Sequence, residues 1–253
     1  MLKFKIRVIG TKILGRLFSI LNQEVIFWGK SRQTYNEDGL WTQHAHDFIA
    51  DETFLKSINR AIQATGGIDY SIAWRTHVYI WATNRQLTMQ GDFVELGVGK
   101  GWMVSAALAS IEWTKAEKTW WLIDRFQPNE VDAITGEVRA HLKSNRYAVS
   151  ADLVKANFDG YEQIKFVEGI IPETLVNLTS AAISFLHIDL NAAQPEVEAL
   201  EILWPRIIAG GIVLLDDFGH PMHELQKDAM KDLSIKLNFN ILYLPTGQGL
   251  ILK

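Results

Sequence analysis

The stretch Asp92-Phe93-Val94-Glu95-Leu96-Gly97-Val98-Gly99-Lys100-Gly101-Trp102 runs an apolar strand into three alternating glycines and then into a helical pattern. Glycine at 97, 99 and 101 removes Cβ atoms where the chain must turn sharply and where a ligand approaches the backbone, and the amides of the following helix face that ligand. The stretch therefore reads as a cofactor loop. Its spacing is G-x-G-x-G, whereas dinucleotide enzymes use G-x-G-x-x-G. Glu95 near the strand end argues against a bound pyrophosphate and suits a ligand with amino or hydroxyl donors, because an ionised carboxylate only accepts hydrogen bonds.

Outward from this loop the chain changes character near Gly91. Before it, Asp47 to Arg85 reads as helices broken at Thr65-Gly66-Gly67. After it, short apolar runs alternate with helical stretches. Strands are expected at Phe93 to Leu96, Trp120 to Ile123, Ile164 to Val167, Ile183 to Ile188, Ile212 to Leu215, Phe239 to Leu244 and Gly249 to Leu252. The long separations among the first five imply parallel strands with helical crossovers. The last two flank Pro245-Thr246-Gly247-Gln248, a turn signal that makes them an antiparallel pair. The expectation is an α/β chain with residues 1–90 as an N-terminal helical cap, serving as lid or oligomerisation segment, and residues 91–253 as the catalytic domain.

The strand Trp120-Trp121-Leu122-Ile123-Asp124 gives a second acidic strand end about 25 residues after the loop. Together with Glu95 and the glycines it resembles class I S-adenosylmethionine-dependent methyltransferases, whose Rossmann-like sheet has seven mostly parallel strands. That resemblance implies that Glu95, Gly97, Gly99 and Gly101 form the cofactor loop and that Asp124 accepts hydrogen bonds from both ribose hydroxyls. Glu168-Gly169, at the third strand end, looks like the adenine edge of the pocket. Trp102 either lines the methionine arm or packs on the sheet, as large aromatics mostly do.

A second constellation lies in His187-Ile188-Asp189 and Leu214-Leu215-Asp216-Asp217, two apolar strands ending in carboxylates. If the strands are neighbours, about 4.8 Å apart, Asp189 and at least one of Asp216 and Asp217 converge at the sheet edge. Converging carboxylates repel unless a cation or proton joins them. Oxygen-only ligands favour a hard ion, with Mg²⁺ ahead of Ca²⁺ and Mn²⁺. The alternative is a helix cap at Asp216 and a solvated Asp217.

The whole pattern from Gly91 to His220 is similar to the metal-dependent macrolide-sugar O-methyltransferases that act on macrocin and mycinamicin intermediates. The matching elements are Gly91 to Val98, Glu168-Gly169-Ile170-Ile171-Pro172-Glu173-Thr174-Leu175, His187-Ile188-Asp189 and Pro205 to Phe218. The resemblance implies that Asp189, Asp216 and Asp217 hold magnesium, which orients two adjacent sugar hydroxyls. Two departures bear on the acceptor. Leu190-Asn191-Ala192-Ala193 stands where the family usually has a second Asp and a Tyr, and Asp124-Arg125-Phe126-Gln127-Pro128 replaces a Ser-Phe-Glu-Gly type segment. For the general base the candidates are Asp189, His220 and His141, with His220 preferred for its place after the paired aspartates. His187 is expected to face inward.

Composition is consistent with this reading. The chain has 253 residues, 48% of them hydrophobic, enough for a substantial core. A net charge of −4 without basic runs gives nucleic acid little to bind. Cysteine is absent, which excludes disulfides, thiolate metal sites and a cysteine nucleophile and fits a cytoplasmic protein. No segment reaches the roughly 20 apolar residues that span a bilayer. The first 30 residues carry Lys3, Lys5, Arg7, Lys12, Arg16 and Lys30 among apolar positions, a pattern that suits an anionic membrane surface or a helix packed on the domain or on a second subunit. The sequence thus points to S-adenosylmethionine and Mg²⁺ as cofactors and to a hydroxyl on a sugar or small natural product as acceptor. Competing readings are a catechol-type O-methyltransferase, a dinucleotide-binding oxidoreductase and a binding protein with a degenerate methyltransferase fold.

Overall fold

The computed structural model describes residues 34–126 and 150–253. The basic N-terminal segment and His141 lie outside the described residues. The chain divides into two compact units. One contains Tyr35 and Trp41–Ala45, and the other, Asn36–Leu40 with His46–Lys253, carries the seven-stranded sheet and its helices. The short strands β1 (Tyr35–Glu37) and β2 (Leu40–Thr42) are separated by Asp38 and Gly39, and a 3₁₀ turn at Asp47–Ala50 follows.

Helix α1 (Glu52–Ala64) starts where the Asp51 side chain accepts from the amides of Thr53 and Phe54, satisfying donors that the first turn leaves open. It stops at Gly66 and Gly67, both at positive φ, with the Gly67 amide closing back on the Ile62 carbonyl. Helix α2 (Ala73–Gln86) leads into β3 (Asp92–Leu96), α3 (Trp102–Leu108), β4 (Trp120–Asp124), α4 (Ala151–Ala156), β5 (Ile164–Glu168), β6 (Ile183–Ile188), α5 (Ala193–Leu203), β7 (Ile207–Leu215), α6 (Glu224–Leu237), β8 (Leu242–Tyr243) and β9 (Gly249–Leu252).

Strands β3 to β9 make one seven-stranded sheet in the order β5-β4-β3-β6-β7-β9-β8. The pairs β5-β4, β4-β3, β3-β6 and β6-β7 are parallel, and β9 runs antiparallel to both β7 and β8. This is the seven-stranded, mostly parallel sheet that the sequence leads one to expect. Strands β3, β4 and β5 are each one residue longer than that reading, and two strands differ by more. Strand β7 begins at Ile207, which pairs with Ile183, and reaches Ile212 through a register shift that lets it pass Gly210. Strand β8 keeps only two residues because α6 ends at Asn238 with positive φ and Phe239 turns inward onto Trp204.

Side-chain alternation sorts the strands onto two cores. Phe93, Trp120, Leu122, Phe185 and Leu214 face Ala61, Tyr79, Ala82, Trp102 and Ala107, so α1, α2 and α3 cover one face. Val94, Leu96, Ile123, Leu186, Ile188 and Val213 face Leu200, Leu203, Met230 and Leu233, so α5 and α6 cover the other. Among the described residues no helix is long and apolar enough to cross a membrane.

Candidate active site

Parallel register brings the predicted residues to one edge of the sheet. Leu96 pairs with Ile188 and Ile188 with Leu215, so Gly97, Asp189 and Asp216 leave adjacent strands at one level. On the other side Asp124 pairs with Glu168. In doubly wound sheets ligands bind beyond these carboxyl ends.

The glycine loop is fixed from within. Asp124 Oδ2 accepts from the amides of Val98 and Gly99 at 2.7 and 2.9 Å, and Oδ1 accepts from the Phe126 amide at 2.9 Å. A carboxylate has about four acceptor directions, so capacity for a further donor remains. Gly97 has φ +86°, and a Cβ there would lie 1.8 Å from the Asp189 carbonyl oxygen. The first glycine is therefore what allows the β3 and β6 ends to pack together. A Cβ at Gly101 would lie 2.8 Å from the Phe158 ring, whereas one at Gly99 would meet nothing within 4 Å. Gly99 borders open space, as a cradle for a ligand should. Gly169 donates its amide to the Asp124 carbonyl at 3.0 Å, which ties the β5 exit to the β4 exit, and Glu168 beside it is exposed.

Two predicted cofactor residues are engaged internally. Glu95 is buried, accepting from Tyr79 Oη at 2.6 Å and contacting His187 Nδ1 at 2.8 Å. Glu95 and His187 are cross-strand partners, so one face of the sheet carries both against α2. Trp102 is also buried, its indole N–H donating to Thr76 Oγ1 at 2.9 Å and its ring stacked on Tyr70. The inward-facing His187 is fully buried. Its Nε2 lies 3.6 Å from Asp216 Oδ1, a charge-pair distance longer than a hydrogen bond. Burial opposes its charge, but Glu95 and Asp216 on opposite sides of the ring raise its pKa well above the usual value.

Asp189, Asp216 and Asp217 do converge, each offering an oxygen within 4.8 Å of the others. Their surroundings differ. Asp216 accepts from Arg75 Nη1 at 2.7 Å and from Gln248 Nε2 at 3.0 Å. Burial pushes its carboxyl up, but Arg75, His187 and Gln248 outweigh this and hold it below the ordinary range. Asp189 accepts from Asn191 Nδ2 at 3.0 Å, and its pKa is raised well above the ordinary value by burial and then by Asp216 and Asp217. Asp217 is raised too, first by burial and then by Asp216, although it lies 3.2 Å from Arg75 Nη1. Asp217 also belongs to a second group, with His220 and His223, whose ligand-capable atoms lie within 4.8 Å. His220 sits on the exposed rim with Nδ1 3.0 Å from the Pro221 carbonyl oxygen. A carbonyl can only accept, so Nδ1 is the donor, and in a neutral ring Nε2 would then be the acceptor.

Sequence reasoning missed Arg75 and Asp38. Arg75 Nε and Nη2 hold Asp38 Oδ2 and Oδ1 at 2.6 and 2.7 Å while Nη1 reaches Asp216 and Asp217. Arg75 lies one helical turn before Tyr79, a spacing that places both on one side of α2, and that spacing was the available signal.

A family model described as macrocin O-methyltransferase (TylF) matches residues 80–238. The chain belongs to that family. Among its relatives, an enzyme of Streptomyces olivaceus named as an 8-demethyl-8-(2,3-dimethoxy-α-L-rhamnosyl)-tetracenomycin-C 4′-O-methyltransferase is 30% identical over 139 residues, covering 51% of this chain and 53% of the relative. The mycinamicin III 3″-O-methyltransferase of Micromonospora griseorubida is 25% identical over 144 residues, 52% of this chain and 56% of that one. The chain thus spans about half the length of these relatives. Among solved structures, the O-methyltransferase NovP superposes with a TM-score of 0.58 at 22% identity over 86% of each chain, which supports the class I methyltransferase fold.

Proposed function

We propose that this TylF-family protein transfers a methyl group from S-adenosylmethionine to a hydroxyl of a sugar or small natural product, with assistance from a divalent cation, most naturally Mg²⁺. One observation carries the reading: the Asp189 carbonyl occupies the space that Gly97 leaves open, so the acidic trio begins against the glycine loop. A cofactor in the loop and an acceptor over the trio would be neighbours. The relatives named as rhamnosyl-tetracenomycin and mycinamicin O-methyltransferases point to the same acceptor class.

The residues fit both cofactors. Gly97, Gly99, Gly101 and Asp124 frame the loop, with Glu168 and Gly169 at the next strand exit and Glu95 and Trp102 supporting it from beneath. The trio offers hard oxygen donors with more negative charge than Arg75 balances, as the raised Asp189 and Asp217 carboxyls register. Asp189, Asp216 and Asp217 would hold the cation, whose contribution when bound is to orient an acceptor hydroxyl and make it more acidic.

The chain's own part is positioning and proton removal. As the acceptor oxygen bonds to the methyl carbon, the carbon–sulfur bond breaks, sulfur takes the electron pair and the hydroxyl proton must leave. His220, whose ring lies beside Asp217 at the rim of the site, is assigned as the base, and Asp189 is the second candidate. His187, held between Glu95 and Asp216, fixes the carboxylate that forms one wall of the site. Calorimetric titration of S-adenosylmethionine into the protein, with Mg²⁺ and again with EDTA, followed by an acceptor screen of sugar and phenolic diols, tests the proposal. Cofactor binding with turnover of a sugar hydroxyl is expected, and absence of cofactor binding in both titrations would overturn it.

A further inference from the structure

The carboxylates assigned to a divalent cation already hold a cation of the chain's own. Arg75 Nη1 approaches Asp216 Oδ2 at 2.7 Å and Asp217 Oδ1 at 3.2 Å, and the opposite edge of the guanidinium forms a two-point fork with Asp38 at 2.6 and 2.7 Å. The Arg75 side chain is only 12% exposed, so little water screens these contacts. A guanidinium cannot lose its charge and leave in neutral form. A divalent ion approaching Asp216 and Asp217 therefore meets a fixed positive charge on the same two carboxylates. Among the described residues Asp38 is the one partner of Arg75 outside the trio, and it pulls from the other side.

We propose that Arg75 is a resident cation that competes with the metal for Asp216 and Asp217, and that Asp38, by drawing the guanidinium toward itself, sets the metal affinity of the site. The inference rests on the trio being the metal site. Its two residues act on affinity in opposite directions. Removing the Arg75 charge frees two carboxylates for the metal, whereas neutralising Asp38 leaves Arg75 to the trio and also removes a negative charge from the neighbourhood. A purely structural salt bridge would behave differently, since breaking it from either side would loosen the site and weaken binding in both variants.

The test is titration of Mn²⁺ into the full chain without cofactor or acceptor, following the free-ion electron paramagnetic resonance signal. Arg75→Gln is expected to bind Mn²⁺ at least about tenfold more tightly than the unaltered protein and Asp38→Asn about threefold or more weakly, on the Coulomb scale of a unit charge a few ångströms away. Arg75→Lys keeps the charge without the fork and is expected to stay near the unaltered protein, while thermal unfolding checks that each variant is folded. Equal or weaker binding by Arg75→Gln would overturn the inference, as would tighter binding by Asp38→Asn. If Arg75→Gln fails to fold, Arg75→Met, which also removes the charge, takes its place with the same expected tightening and the same overturning result. Binding by the unaltered protein that Asp216→Asn abolishes would establish the metal site independently. Absence of Mn²⁺ binding in every protein would overturn the metal reading and this inference with it.

Discussion

Two carboxylates at the same sheet edge, Asp124 at the end of β4 and Asp216 just after β7, solve the problem of a charge at a strand end in different ways. Asp124 is held by three backbone amides of its own neighbourhood, so its charge stabilises the loop that it fixes. Asp216 is held by long-range partners, namely Arg75 from α2, Gln248 from the β8–β9 turn and His187 from β6. The first arrangement sets a single carboxylate against backbone amides. The second crowds several buried carboxylates around one arginine and one histidine. Under the proposed function the cofactor half of the edge is preformed, while the carboxylate half would take up the additional cation.

The sharpest break between the halves is Asp216→Ala, which leaves the buried Arg75 guanidinium with reduced compensation. Removing one partner of a buried pair costs about 3–5 kcal/mol, and methyl transfer should fall to background, whereas cofactor affinity should stay within a few-fold; denaturant unfolding and calorimetry measure the two separately. Gly97→Ala should blur the division instead. Its Cβ would collide with the Asp189 carbonyl at positive φ, so a cost of about 2–4 kcal/mol is expected, with loss of cofactor and metal binding together. Gly99→Ala, at positive φ but in open space, should cost only about 1 kcal/mol and affect cofactor binding alone.

Buried Glu196 on α5 sharpens the carboxylate half through pH. It accepts from Gln226 Nε2 and the Leu190 amide, and burial, with Asp217 adding to it, raises its pKa from the ordinary 4.5 to about 8. Because the folded state binds the proton more tightly than the unfolded state, folding stability falls as pH rises between those values. The slope approaches 1.4 kcal/mol per pH unit, or roughly 2 kcal/mol from about pH 6 to pH 8. Glu196→Gln should flatten this dependence in unfolding curves recorded across that range, and an unchanged slope would remove Glu196 from the account.

Much of the sheet was legible because its strands are nearly continuous apolar runs with turn signals between them. The bounds of β6 and β9 follow directly, whereas β7 starts early through a register shift at glycines that the sequence pattern cannot locate. The acidic ends were legible for the same reason, as carboxylates closing hydrophobic strands. Arg75 was not, since its partners lie 37, 141 and 142 residues away in the chain and pairing at that range depends on tertiary packing. Glu95 looked like a cofactor ligand because strand alternation shows which face it takes, but not that Tyr79 and His187 wait there.

The separation of the two halves is the central claim, and the most direct test is S-adenosylmethionine titration into Asp124→Ala and Asp216→Asn side by side, each paired with a turnover assay. The account predicts cofactor affinity weakened about tenfold or more in Asp124→Ala, through loss of a charged acceptor shared by several hydrogen bonds. In Asp216→Asn it predicts near-unchanged affinity with turnover lost. Equal loss of cofactor binding in both variants would contradict it.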